Sequence, residues 1–335
     1  MESLVGIGRG MWYNGAKGGS GMGNVRGRFA PSPSGRMHLG NLFSGLLAWL
    51  SVRAAGGTMV LRMEDLDPDR CKEEYAVQLA DDLRWLGLDW DEGYQVGGPH
   101  GPYRQSERTD LYAGAFETLE RQGLIYPCYC TRAERLAASA PHRSDGQAVY
   151  SGRCRHLTEA QRAELSATRR PAWRVKVPDR NIGFTDGLQG VYEENLLHDC
   201  GDFILRRSDG VYAYQLAVVY DDGAMEVNQV VRGRDLLDST PRQRYLYELL
   251  GLTPPDFYHV PLLLAPDGRR LSKREKDLDM GALRERFTPE ALTGLLAFWA
   301  GQLDKPEPVA PAELAQHFDW AKVPAGDIMV DPNHL

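Results

Sequence analysis

Three groups of residues in this 335-residue chain have types and spacings suited to chemistry. The first runs Arg28-Phe-Ala-Pro-Ser-Pro-Ser-Gly-Arg-Met-His-Leu-Gly-Asn41, a strand end, a proline-stiffened turn and a helix start. Gly35 and Gly40 let backbone approach a ligand closely, and a helix N-terminus offers free N–H groups and partial positive charge to phosphate. His38 and Asn41, three apart, share one side of that first turn. The bland alternative is a turn histidine that caps the helix. The second group, Asp267-Gly-Arg-Arg-Leu-Ser-Lys-Arg274, is a glycine-bearing basic loop, and its bland alternative is a solvated charge run. The third is Cys128, Cys130 and Cys154. Three thiolates this close favour a tetrahedral zinc site, with His156 or His142 as fourth ligand on chemical grounds. Cys71 and Cys200 have no such neighbours and are expected in the core.

These groups need elements to hold them. A strand from Val25 leads into Pro31 and Pro33, and Leu39, Leu42, Phe43, Leu46, Leu47 and Leu50 then mark one face of a helix. The pattern predicts strands at Thr58 to Met63, Phe203 to Arg206, Gln229 to Arg232 and His259 to Leu264, and helices at Glu73 to Leu86 and Ser106 to Gln122. Alternating strands and helices predict an α/β fold with a doubly wound, mainly parallel sheet. Between Cys128 and Val177 the segments become short, Arg-rich and cysteine-bearing, as an insertion would. Short helices are expected at Met280 to Phe287, Pro289 to Gln302 and Pro311 to Phe318. The expected division is a Gly-rich disordered extension (1–25), a first catalytic half (26–125), the insertion (126–185), a second catalytic half (186–250), and a loop with a helical end (251–335).

Composition bounds the function. With 42% hydrophobic and 25% charged residues the chain reads as globular, with room for about two domains. The longest uncharged apolar stretch, Leu39 to Val52, falls short of the roughly 20 residues a membrane-spanning helix needs. No signal-like segment opens the chain, so a cytoplasmic location is expected. A net charge of −7 argues against bulk nucleic-acid binding. Locally the balance reverses: Arg143, Arg153, Arg155, Arg162, Arg169, Arg170 and Arg174 stand against Asp145, Glu159 and Glu164, a basic segment suited to RNA phosphates.

Taken together, the motifs resemble the class I glutamyl-tRNA synthetase family. Arg28 to Asn41 matches its R-F-A-P-S-P-[ST]-G block and, as His38-Leu-Gly-Asn41, its HIGH signature. Arg270-Leu-Ser-Lys-Arg274 is similar to KMSKS, with Arg270 and Asn41 as conservative departures. Leu61 to Asp67, Asp202-Phe-Ile-Leu with Tyr214 and Asp221-Asp222, and Val231 to Leu236 extend the resemblance from Val25 to Phe287. The short stretch after Arg274 leaves no room for an anticodon-binding region, and Val218 stands where tRNA-charging members carry Asn. Both departures resemble the truncated branch of the family, which attaches glutamate to queuosine at the wobble position of tRNA(Asp).

The resemblance implies a Rossmann-like catalytic domain with an acceptor-binding-like zinc insertion. It implies two-step chemistry in which ATP and magnesium activate L-glutamate and the glutamyl group passes to an RNA hydroxyl. It puts His38, Asn41 and Lys273 in catalysis, and His38, Gly40, Asn41, Ser272 and Lys273 on ATP. Arg28, Phe29, Ala30, Pro31, Ser32, Glu64, Tyr214 and Arg232 would hold glutamate, the arginines on its carboxylates and Glu64 on its ammonium group. It also makes Tyr150 the fourth zinc ligand, beside Cys128, Cys130 and Cys154. A monomer binding the anticodon loop of tRNA(Asp) is the expected form. The competing readings are a short enzyme charging a tRNA 3′ end and a silent tRNA-binding relic.

Overall fold

The computed structural model describes residues 24–131, 149–269, 271 and 278–331. The chain opens with β1 (Arg26–Phe29), α1 (Leu39–Ala54), β2 (Thr58–Leu61), α2 (Glu73–Trp85), β3 (Glu92–Gly93), α3 (Thr109–Arg121) and β4 (Ile125–Cys128). It continues through α4 (Glu159–Ser166), β5 (Ala172–Val175), β6 (Asn181–Asp186), β7 (Gly190–Asn195), the single turn α5 (Leu196–Asp199) and β8 (Ile204–Arg206). It then forms α6 (Tyr214–Ala224), β9 (Gln229–Gly233), α7 (Thr240–Leu250), β10 (Asp256–Val260), β11 (Leu263–Leu264), α8 (Met280–Arg286), α9 (Pro289–Trp299), α10 (Pro311–Ala315) and β12 (Ile328–Met329).

Five strands make one sheet in the order β10-β9-β1-β2-β3, and every pairing is parallel. Side chains on β2 alternate between two apolar clusters: Met59 and Leu61 face one, Val60 the other. Both faces are therefore covered, as parallel sheets require. The apolar stripe of α1 lies against the first face, with Leu39, Leu42, Leu46, Leu47 and Leu50 fully buried. Strand order reverses between β1 and β9. In open α/β sheets ligands bind beyond the carboxyl ends of the strands at such a reversal.

The expected strand at Phe203 to Arg206 exists, but as β8 it pairs antiparallel with β5 in a separate sheet, β4-β5-β8. Alternation along the sequence could not separate it from the parallel set, because three-residue strands have no distinguishing period. The antiparallel part, including the β6–β7 hairpin, thus reaches beyond the expected 126–185. Asn24 and Val25, expected in the extension, are tied to the sheet: Asn24 O accepts from Asn228 Nδ2 at 3.2 Å and Val25 O from Thr58 N at 2.8 Å. The C-terminal helices form as expected, α8 capped by Asp279 and α9 by Thr288 with Pro289 behind it. Among the described residues no helix is long and apolar enough to cross a membrane.

Candidate active site

Period-two alternation sorts the residues of β1. The ring of Phe29 lies against Gly45 of α1, where an added Cβ would stand 3.1 Å from it. Arg28, one residue earlier, faces the opposite side. The side chain of Phe29 is thus turned away from the expected glutamate site, while its carbonyl accepts from Arg62 N at 3.1 Å and joins the β1 end to the β2 end. Pro31 O in turn accepts from Glu64 N at 3.0 Å, fixing the β1 exit against the β2 exit. Ser32, Glu64 and Tyr214 come together in a cavity of about 290 Å³, also lined by Arg70, Cys71, Gln105 and Arg207. Cys71, expected in the core, is half-buried in this wall, and Cys200 is half-buried elsewhere. Val218 is buried in the apolar cluster one helical turn beyond Tyr214.

Behind the cavity lies a buried network that the sequence reading missed. Arg62 is fully buried and donates from Nη1 to Asp222 at 2.7 Å and from Nη2 to Glu64 at 3.2 Å, while Asp221 stands 3.7 Å from its Nε. Asp221 also accepts from Arg108, Gln105 and Tyr112. Burial pushes the Glu64 carboxyl above its usual range even though Arg62 and Arg28 pull it down. Arg28 pairs with Asp222 at 3.5 Å. Arg232 differs, because among the described residues no carboxylate pairs with it. Its Nε donates to His259 Nε2 at 2.9 Å and its Nη2 to Thr240 Oγ1 at 2.8 Å, while its buried Nη1 has no hydrogen-bond partner among the described residues. Burial lowers its pKa, and burial likewise raises that of the nearby Tyr214 phenol. The sequence signal for this network was the family resemblance of Leu61 to Asp67 and of Asp221-Asp222, which named its members without their pairing.

His38 is the N-cap residue of α1, with its carbonyl accepting from Asn41 N at 2.9 Å and Leu42 N at 3.0 Å. Its side chain makes no capping bond, which disfavours the capping alternative. A Cβ on Gly40 would meet nothing within 4 Å, and Asn41 is exposed, so this first turn presents an open face. Asp279 pairs antiparallel with His38, Met280 N donates to Met37 O at 2.9 Å, and Leu271 N to Leu263 O at 3.5 Å. Arg270, Ser272, Lys273 and Arg274 lie outside the described residues, but both flanks of their segment are thereby fixed, one of them on His38.

The sulfurs of Cys128, Cys130 and Cys154 lie within 4.8 Å of one another. Cys130 and Cys154 are 3.5 Å apart, close to the roughly 3.8 Å edge of a tetrahedron with Zn–S near 2.3 Å. Tyr150 Oη stands 3.4 Å from Cys128 Sγ and 3.8 Å from Cys130 Sγ, so three thiols and one phenol suit a closed metal centre. A hydrogen bond from Cys154 pulls the Cys128 thiol below its usual range and raises that of Cys154 in return. His156 is exposed and outside the cluster, and His142 lies outside the described residues.

The basic segment is partly consumed by structure. Arg174 is buried, donates to Asp202 O, and covers the Tyr150 ring with its guanidinium carbon 3.8 Å from the centroid. Arg155 pairs with Asp202 at 3.7 Å, and Arg169 donates to Tyr129 O at 2.9 Å. Arg153, Arg169 and Arg170 are exposed; Arg143 and Asp145 lie outside the described residues. The expectation of seven RNA-facing arginines fails at Arg174 because its charge is used beside the thiol cluster.

A doubly wound parallel sheet with buried arginines at its reversal point and an open helix N-terminus alongside defines an α/β enzyme that handles nucleotides and carboxylates. Residues 24–330 match the tRNA synthetases class I (E and Q), catalytic domain, and the chain belongs to this family of aminoacyl-tRNA ligases. A Glutamyl-Q tRNA(Asp) synthetase of Nitratidesulfovibrio vulgaris is 53% identical over 93% of this chain and 97% of that protein. A Glutamate--tRNA ligase 2 of Acidithiobacillus ferrooxidans is 47% identical over 82% of this chain and 58% of the ligase. The crystal structure of a glutamate tRNA ligase from Elizabethkingia meningosepticum in complex with its amino acid aligns with a TM-score of 0.80 at 30% identity, covering 93% of this chain and 68% of that one.

Proposed function

We propose that the chain activates L-glutamate with magnesium-bound ATP and transfers the glutamyl group to the queuosine at the wobble position of tRNA(Asp). The observation that carries this reading is the high identity sustained along nearly the whole length of the N. vulgaris protein. In the first step the glutamate carboxylate attacks the α-phosphorus and pyrophosphate leaves. No general base is needed, because the carboxylate is already ionised, so catalysis is positioning and charge stabilisation. In the second step an RNA-linked hydroxyl attacks the acyl carbon and AMP leaves.

Arg232 and Arg28 hold the substrate carboxylates, whose planar geometry the guanidinium fork matches. Glu64 takes the ammonium group, Ser32 and Tyr214 border the substrate, and Ala30 and Pro31 shape the β1 exit with Phe29 acting through its backbone. His38, Gly40, Asn41 and Ser272 meet the ATP phosphates, with Lys273 neutralising charge on the departing pyrophosphate. Cys128, Cys130, Cys154 and Tyr150 hold one structural zinc that ties the end of β4 to residues 150–154 and adds folding energy there. Chemistry on a modified base needs that base unstacked, which a single-stranded anticodon loop offers at low cost. The test is labelled glutamate and ATP with tRNA(Asp) containing or lacking queuosine, and with tRNA(Glu). Labelling of queuosine-bearing tRNA(Asp) alone is expected; labelling of tRNA(Glu) rejects the reading.

A further inference from the structure

Arg232 is 5% exposed, yet its fixed partners are all neutral: His259 Nε2, Thr240 Oγ1 and, at 3.5 Å, Leu236 O. An N–H donor needs a lone pair, so Nε2 of His259 must carry no proton. The other ring nitrogen, Nδ1, stands 2.5 Å from Asp186 Oδ2, and both side chains are fully buried. Asp186 ends β6, in the hairpin whose turn docks on the edge strand β10: Gly187 N donates to Phe257 O at 2.8 Å, and Gln189 Nε2 to His259 O at 2.8 Å. Its Oδ1 is committed to the backbone N–H groups of Leu188, Gln189 and His259, at 3.0, 2.9 and 3.2 Å. Only Oδ2 faces the ring.

We infer that Asp186 is a positioning residue for the glutamate site: by accepting from Nδ1 it locks His259 in the tautomer whose Nε2 accepts from Arg232. This rests on the proposed role of Arg232 as a carboxylate ligand. Neutral partners aim the guanidinium without neutralising it, and leave Nη1 and the full positive charge for substrate. Thr240, 3.2 Å from Nε2 through its hydroxyl, completes the same arrangement.

The geometry makes Asp186→Asn a one-atom test. Three backbone N–H groups would hold the Asn oxygen at the Oδ1 position and turn its NH₂ toward His259 Nδ1. That forces the ring proton onto Nε2, against the Arg232 N–H. Glutamate-dependent pyrophosphate exchange should then show a glutamate KM raised about 10- to 100-fold with the ATP KM unchanged. His259→Gln, whose amide can turn its oxygen to Arg232, should retain most glutamate affinity; His259→Leu should lose it as Asp186→Asn does. A purely structural role would not separate Gln from Leu. ¹⁵N NMR of the imidazole, assigned by loss of signal in His259→Gln, gives a readout independent of activity. A wild-type ring protonated on Nε2, or Asp186→Asn with unchanged glutamate KM, overturns the inference. Should Asp186→Asn not fold, the Gln and Leu variants and the wild-type spectrum decide. Wild-type protein with no glutamate-dependent exchange rejects the proposed function instead, while the spectrum still judges the tautomer.

Discussion

Arg62 and Arg232 are both buried arginines at the ends of the two strands that flank β1, and their surroundings are opposite. Burial opposes the charge on Arg62, but Asp222, Asp221 and Glu64 overcome it and raise its pKa well above the ordinary guanidinium value. Arg232 has no carboxylate in hydrogen-bond contact among the described residues; burial and the neighbouring Arg28 lower its pKa, and the opposing pull of Tyr214 and Asp222 does not overcome them. The difference separates two uses of one side chain. Arg62 is satisfied within the fold and holds Glu64 and Asp222 in place, whereas Arg232 is left electrostatically incomplete for an incoming anion.

Removing each charge should break the comparison most severely. Arg62→Met strips Glu64 of its hydrogen-bonded cation and leaves Asp222 and Asp221 to Arg28 and Arg108 alone, and should lower unfolding free energy by about 3–5 kcal/mol, read by denaturant titration. Arg232→Met should leave stability within about 1 kcal/mol of wild type, since no paired acid is stranded, while glutamate-dependent exchange falls by about 10²–10³-fold in kcat/KM. Equal destabilisation of the two variants would abolish the distinction. Thr240→Asp sharpens it by giving Arg232 the kind of partner Arg62 has. Glutamate KM should rise about tenfold or more while thermal stability is held or raised. The smallest effect is expected at Glu92, whose hydrogen bond with Arg26 holds its carboxyl at about 2. The stability it contributes is present above the usual carboxylate pKa near 4.5 and is lost as pH falls from there toward 2. Glu92→Gln should cost about 1 kcal/mol or less at neutral pH, and acid titration of the two proteins should converge near pH 2.

What could be read from the sequence was local. The turn from Arg28 to Asn41 and the apolar stripe of α1 are short-range patterns with fixed periods, and the structure bears them out. The thiol cluster was legible because Cys128 and Cys130 are near neighbours, but Tyr150 came only through family resemblance, since bare ligand chemistry favours histidine. The antiparallel pairing of β8, the bonds of Arg62 to Asp222 across 160 residues and of His259 to Asp186 across 73 are products of folding, with no local pattern to announce them. Arg174 shows the converse: a charge counted correctly along the chain was already taken in space.

The central strand β1 meets its neighbour β9 only after most of the chain has been made, with Gly27 beside Gln229 and a contact from Arg26 to Asn228 spanning 202 residues. At synthesis rates of about 5–20 residues per second, β1 waits roughly 10–40 s for that partner. During this interval helices and the β6–β7 hairpin can form locally, whereas the strand bearing Arg28 has an open edge. The proposed carboxylate site is therefore among the later features to form on the ribosome, and Arg232 arrives after the hairpin that will hold its histidine.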